Sequence, residues 1–435
     1  MKGDSSMKSK ALNRVLVGAT VAAMLVLSAC GGGKSNEAAD GANGKDASGQ
    51  VTLTVWGDQA NQSSFEPAFK AINAAFEEKH PNIKLDYQYS GTETAIDTAV
   101  KSNSLPDVFY VQGNKTPKMK LYVESGALLP LNNFSLDTQR YDGSALEYAT
   151  IDGVLYASPP AFMDSQLIFY NKDLFEKQGL EAPKTFDEFV QLADSLKKAG
   201  ITPFSVPGKS EFERAWIAFA MLPATAQEAL SKLNDGTGTF QDPGIVKAFQ
   251  TIRDFADKGY FTKDLASVDN AGAQLAFTNG NTAMMADGTW NDPTFVGAGL
   301  NLGRFYIPSE TGQRIAPQSF SNATTYAVSA ATKHPNEAAE YVKFLASQEA
   351  QQLFEKETGA VPIMQDITPR DEAVKELSAF DSLGLNIYSV LTDLSTENVK
   401  LTDIFMQQVM PKLLTSQIDG KEAADIMEEA LLRTK

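Results

Sequence analysis

The sequence predicts an α/β protein built on a parallel sheet covered on both faces, with enough chain for two lobes. Between Val51 and Val111 the apolar pattern alternates between strand-like runs and a helical period. About 385 residues of ordinary globular composition follow Gln50, more than one compact core holds. The chain has a single cysteine, so no disulfide pairs within it and the lobes must be stable on packing alone.

Val51–Trp56 reads as an alternating or buried strand, with Gly57-Asp58-Gln59 as the loop that follows. From Phe65 to His80, Phe65, Phe69, Ile72 and Phe76 fall at helical spacing, and His80-Pro81 ends the helix. Ile83–Tyr87 is a second strand, a helix from about Thr94 to Ser102 comes next, and Pro106–Val111 is a third, mostly buried strand. Short connections between such elements imply parallel strands, and ligands of such sheets lie beyond the strands' carboxyl ends. The loops after Trp56 and Val111 are therefore candidate site loops. Further on, Asn171-Lys172-Asp173 ends a strand and starts a helix, Gly179 closes that helix, and Thr185 with Glu188 forms a capping box. Ser319–Asn322 is a polar loop before the strand Thr325–Val328. Asn336–Phe354 and Glu422–Leu432 carry helical apolar faces that serve as scaffold.

The first residues have another character. Lys8, Lys10 and Arg14 precede an apolar run from Val15 to Leu27, and Leu27-Ser28-Ala29-Cys30 follows, the pattern of a secretory signal. The apolar run is shorter than the ~20 residues that span a bilayer. The segment resembles a lipobox, which implies cleavage after residue 29 and a diacylglycerol anchor on Cys30. Residues 30–50, rich in Gly, Ala, Asn and Asp, read as a flexible tether. Lys2, Lys8, Lys10 and Arg14 against Asp4 give the first 29 residues a charge of +3. The whole chain carries −16, which leaves about −19 on the remainder and excludes nucleic acid as a partner. The two histidines, His80 and His334, each precede a proline and read as surface residues. No metal motif, phosphate-cradling loop or nucleophile elbow is present, so neither cofactor nor metal is expected.

Several short motifs occur in a diagnostic order: Pro106-Asp107-Val108, Ile151–Pro160, Leu167–Phe175, Pro183–Phe189, Phe277–Met285 with Gly288-Thr289-Trp290, and Gly359-Ala360-Val361-Pro362. Together they resemble the extracellular solute-binding proteins of ABC importers, in the sugar- and oligosaccharide-binding branch that includes maltodextrin-binding proteins. The resemblance runs from Val51 to Leu432. It implies a periplasmic-binding-protein-like fold of two α/β lobes with a ligand cleft and a multi-strand hinge. The hinge crossings fall near Phe162, Asn322 and Thr358, which assigns residues 51–162 plus 323–357 to one lobe and 163–322 plus 358–435 to the other. It further implies a lipid-anchored, monomeric, non-enzymatic receptor outside the bacterial cell membrane, one that delivers an oligosaccharide to a two-subunit permease.

Sugar recognition asks for aromatic rings against pyranose C–H faces and for amides, carboxylates or guanidinium groups against hydroxyls. By resemblance, Trp290 aligns with a sugar-stacking tryptophan and Asp164, seven residues before Asn171, with a ligand-binding acid. Glu211, Arg214 and Trp216 lie where the family places aromatic and acidic site residues. Trp56, Asp58 and Gln59 follow from the end of the first strand, and Gln112 and Asn114 from the end of the third. Asp287, Asn291 and Asn322 flank the Trp290 turn and the second crossing. The loop Leu394–Lys400, with Glu397 and Asn398, is a weaker carry-over. Asp58-Gln59 and Arg214 depart from the maltodextrin-binding pattern, which argues against maltodextrin itself. Two other readings stand beside the sugar. One is a receptor for a polyamine, metal chelate or glycerophosphodiester. The other is a cell-surface glycoside hydrolase with Asp164 and Glu213 as its carboxylates.

Overall fold

The computed structural model describes residues 49–115, 117–141, 143–319, 325–364, 366–369 and 371–435. Cys30, the signal segment, the tether up to residue 48 and Asn322 lie outside them. In β1 (Val51–Asp58) Val51, Leu53 and Val55 are buried and Thr52 and Thr54 exposed, the period-2 pattern of a strand with one covered face. β2 (Ile83–Gly91) and β3 (Val108–Val111) pair in parallel with β1 on its two sides. A small hairpin, β4 (Thr150–Ile151) and β5 (Val154–Leu155), precedes the long buried strand β6 (Phe162–Asn171). The remaining strands are β7 (Thr202–Ser205), β8 (Thr282–Gly288), β9 (Leu302–Phe305), β10 (Ile315–Ser319), β11 (Thr325–Val328), β12 (Val361–Pro362) and β13 (Ser382–Leu385).

Two sheets result. The first has the order β11-β3-β1-β2; the second runs β13-β10-β6-β8-β7, with β9 and β12 also paired to β6. The chain moves from the first sheet to the second ahead of β6, returns between β10 and β11, and passes over again between the helix Gln348–Thr358 and β12. Beyond β12, Met364 bridges to Tyr141 and Asp366 pairs with Arg140.

The three strands expected to be parallel, β1, β2 and β3, are parallel, but the pairings beyond them are mixed and the expected cover on both faces is incomplete. β11 runs antiparallel to β3, and β6 is antiparallel to β8, β9, β10 and β12; only β1–β2, β1–β3, β7–β8 and β10–β13 are parallel. The physical cause is the return of the chain from a distant sheet, which frees β11 from the right-handed crossover that keeps neighbours parallel. Exposure of Thr52 and Thr54 shows that the first sheet is not covered on both faces there.

Local signals hold well. Asn171 accepts from Leu174 N at 3.1 Å, and Thr185 accepts from Glu188 N at 3.2 Å. Gly179 takes φ +64°, the left-handed conformation that glycine enters without a Cβ penalty. Glu188 does not close a capping box: its carboxylate accepts from Lys184 N, one residue before the cap. The full reciprocal box occurs in the last helix, Gly420–Leu432, between Asp419 and Glu422. The single helix expected over Asn336–Phe354 is two, Pro335–Leu345 and Gln348–Thr358, because Ser347 caps the second by accepting from Ala350 N. In the second sheet's core, Phe189, Phe204 and Phe255 pack with centroids 5.4–5.9 Å apart. Each such aromatic pair contributes about 0.5–1.5 kcal/mol beyond area burial. Phe65, Phe162 and Phe354 form a similar knot where β6 begins, with Phe162 stacked on Phe354 at 5.1 Å.

Candidate ligand-binding cleft

The residues at the carboxyl ends of β1 and β8 and at the start of β6 converge on a cleft of about 550 Å³. From the first sheet's side it is lined by Asn61, Ser64 and Phe65, at the start of the helix Gln62–Lys79. Phe162 and Asp164 of β6 contribute from the middle, and Thr289, Trp290 and Asn291 of the turn after β8 from the other side. Glu357–Ala360, in the last crossing, complete the wall.

Trp290 is the aromatic centre of this cleft. Its indole is half-buried and lies against Gly288: a Cβ at that glycine would come within 2.1 Å of the ring. Trp216 braces it edge-to-face, with centroids 5.7 Å apart and planes at 75°. Glycine at 288 is thus required by close approach, and the ring is held from two directions.

Asp287 sets the turn that carries Trp290. It is fully buried and accepts from Gly288 N at 2.6 Å, Asn291 Nδ2 at 2.7 Å and Gln274 Nε2 at 3.2 Å. Burial pushes its carboxyl up to about 7, against the pull of those three donors. Asp58 plays the matching part after β1, accepting from Ala60 N at 3.0 Å and Asn61 Nδ2 at 2.6 Å. Its carboxyl is also raised, chiefly by burial.

Asp164 is buried on β6 and lines the cleft. Gln59, after Asp58, is exposed. Trp56 is half-buried against the core of the first sheet, with Gln88 and Phe109 as its strand neighbours, and is not among the residues lining the cleft. Gln112 and Asn114 are both half-buried beyond β3, and Asn114 lines a second, smaller pocket. Glu211 is exposed. The Arg214 guanidinium turns back onto its own loop, donating to Ser210 O at 2.7 Å and Lys209 O at 3.0 Å, and desolvation lowers its pKa. Trp216 is buried behind Trp290, so its contribution to the cleft is support. Glu397 and Asn398 are exposed.

Asn61, Ser64, Phe65 and Thr294 line the cleft without having been expected there. Asn61 was findable, as the polar residue just past a strand-end acid; Phe65 reads from sequence only as the first apolar position of a helix. Among the described residues, no cluster of His, Cys, Asp and Glu suits a metal ion, and no helix is long and apolar enough to cross a membrane.

An α/β chain with a ligand cleft between two sheets, crossed repeatedly by the backbone, has the architecture of a two-lobe binding protein. Residues 57–352 match the model of the bacterial extracellular solute-binding protein family, and the chain belongs to that family. It is 26% identical to the galactooligosaccharide-binding protein of Bacillus subtilis, over 93% of this chain and 93% of that one. It is 26% identical to the diacetylchitobiose-binding protein DasA of Streptomyces coelicolor, over 81% of this chain and 82% of that one. In structure it is similar to RafE of Streptococcus pneumoniae, with a TM-score of 0.73 at 21% identity, covering 90% of this chain and 99% of that one. The fold is therefore the two-lobe one expected from the sequence motifs.

Proposed function

We propose that the protein captures an oligosaccharide in the cleft between its lobes and delivers it to the permease of an ABC importer, held at the outer face of the membrane by a lipid on Cys30. The observation that carries the reading is the placement of Trp290. A half-buried indole, immobilised by Gly288 and Trp216, shares the cleft with buried Asp164 and with the Asn61 and Asn291 amides. A flat apolar face beside convergent hydrogen-bonding groups matches a pyranose, whose C–H face is apolar and whose rim is hydroxylated. The named sugars of the two relatives agree with this.

The lobes in this reading are residues 51–162 with 323–357 and residues 163–322 with 358–435, hinged where the chain passes between the sheets. Sugar contacts made only in the closed arrangement shift the population toward it. The Phe65–Phe162–Phe354 knot lies at the first and third crossings and gives the hinge a rigid pivot. The cleft's polar groups bind and orient; the protein acts as a monomeric receptor and not as a hydrolase.

A thermal-shift screen of the purified chain against galacto- and chito-oligosaccharides, polyamines and metal chelates tests this. A ligand that binds only the native state raises its stability by RT ln(1 + [L]/Kd). A rise with one sugar class, lost in Trp290→Ala, is expected. A rise with a polyamine or chelate alone overturns the sugar assignment.

A further inference from the structure

The Trp290 cleft carries charge of one sign. Among the described residues, the ionisable side chains that line it are Asp164 and Glu357, and neither a lysine nor an arginine joins them. Asp164 is 1% exposed, and its neighbour Ser165 donates from N to Thr289 Oγ1 at 3.2 Å, which ties the acid to the turn that carries the indole. Glu357 sits in the last turn of the helix Gln348–Thr358, whose carbonyl end, the negative end of its dipole, closes the same wall. Its carboxylate pairs with Lys356 Nζ at 3.1 Å, but that lysine is half-exposed and stands outside the lining, and a surface pair of this kind is weak.

Two features that could offset these carboxylates are already engaged. Arg214, the cation expected at the site from sequence, turns its guanidinium onto Ser210 O and Lys209 O. The helix Gln62–Lys79 begins at the cleft with its positive end, but buried Asp58 lies against that end, accepting from Ala60 N at 3.0 Å and Asn61 Nδ2 at 2.6 Å. The chain as a whole carries −16, so the field outside the cleft has the same sign as the field within it. In a partly dry site a carboxylate repels a second negative charge and attracts a positive one. The face of an indole attracts a cation within about 6 Å of its centroid as well.

We infer that the cleft selects its saccharide by charge: it takes one that bears a protonated amine ahead of the hydroxyl counterpart and rejects the uronic acid counterpart. This rests on the sugar-binding reading above. The ring stacks on Trp290, and its ammonium group donates to Asp164 or Glu357 in a charge-assisted hydrogen bond that a hydroxyl forms more weakly. A uronate meets both carboxylates with no cation in the lining to compensate it.

The test is isothermal titration of the full chain in mildly acidic buffer, where the amines are protonated. One series is cellobiose, its diamine counterpart chitobiose and cellobiouronic acid; the other is galactobiose, digalactosamine and digalacturonic acid. In the series that binds, the diamine is expected to be tighter than the hydroxyl compound by about 10-fold, the worth of a hydrogen bond to a charged group, and the acid weaker by at least as much. Raising sodium chloride from about 0.05 M to about 0.5 M should shrink the diamine's advantage, since mobile ions screen the attraction. The ratio of diamine to hydroxyl affinity should fall about 5-fold in Asp164→Asn and in Glu357→Gln, each of which removes one charge at constant size; melting curves establish that they fold, and Glu357, being partly exposed, tolerates the change. A wild type that binds diamine and hydroxyl compounds equally, or the acid best, overturns charge selection and leaves the sugar-binding reading standing. A diamine preference that both variants retain in full overturns it too. A wild type that binds no saccharide of either series, or spermidine alone, instead overturns the sugar-binding reading itself.

Discussion

The loops after β1 and β8 face each other across the cleft and are built on one device, with different results. Each ends a strand on a buried aspartate, and each aspartate receives the amide of an asparagine, Asn61 from Asp58 at 2.6 Å and Asn291 from Asp287 at 2.7 Å. Both asparagines line the cleft. The β1 loop then runs straight into a helix and presents small polar groups. The β8 loop inserts a turn over Gly288 and presents an indole. The aspartates at these two strand ends thus hold the loops that follow them, and what each loop brings to the cleft is decided by its next three or four residues. The first loop brings only polar groups to the cleft, and the second adds a flat apolar face beside its own polar Asn291.

This contrast can be broken most severely at Trp290. Trp290→Ala should weaken the preferred sugar by at least 30-fold, about the 2 kcal/mol cost of a truncated hot spot, with the fold intact by circular dichroism. Gly288→Val comes next: its side chain meets the indole, so binding should fall about 10-fold and the melting temperature should drop with an overpacking cost of about 1–3 kcal/mol. Asn61→Ala and Asn291→Ala sharpen the comparison. Each leaves a buried carboxyl with one donor fewer, and each should destabilise the chain by about 1–3 kcal/mol in chemical denaturation. Asn291→Ala should cost more affinity, because its loop carries the ring.

The effect smallest on sugar affinity is a pH dependence of stability. The carboxyl of Asp287 is raised to about 7 in the folded chain from the ordinary aspartate value of 3.8, so between those values the native state holds a proton that the unfolded state has released. Stability contributed by this group is full below about pH 4 and falls as pH rises toward 7. The raised carboxyl of Asp58 acts in the same direction. Melting temperatures of the wild type should therefore decline across that window relative to Asp287→Asn, and parallel curves would remove Asp287 from the account.

Much of this was legible in the sequence because it is local. The capping asparagine at 171, the threonine at 185 and the glycine at 179 act through neighbours within four residues, and the structure has them in those roles. The strand-end position of Asp58 followed from the apolar run before it, whereas Trp290 and the flanking Asp287 came from the resemblance carried by the Gly288-Thr289-Trp290 turn. What escaped depends on distant contacts. Trp216 and Trp290 are equally aromatic in sequence, yet one is buried behind the other because the helix Trp216–Asn234 packs beneath β8. Phe65 and Phe162, nearly a hundred positions apart, meet only once the chain has crossed between the sheets. The antiparallel pairing of β11 with β3 was invisible for the same reason. Arg214 looked free to reach a ligand but is occupied by carbonyls four and five residues back.

The most direct test of the central claim is a crystal structure of the chain with the saccharide that gives the largest thermal shift. One pyranose ring is expected stacked on the Trp290 indole, with hydroxyls within hydrogen-bond distance of Asp164. A saccharide bound outside the cleft, or in it with no ring against Trp290, would contradict the account.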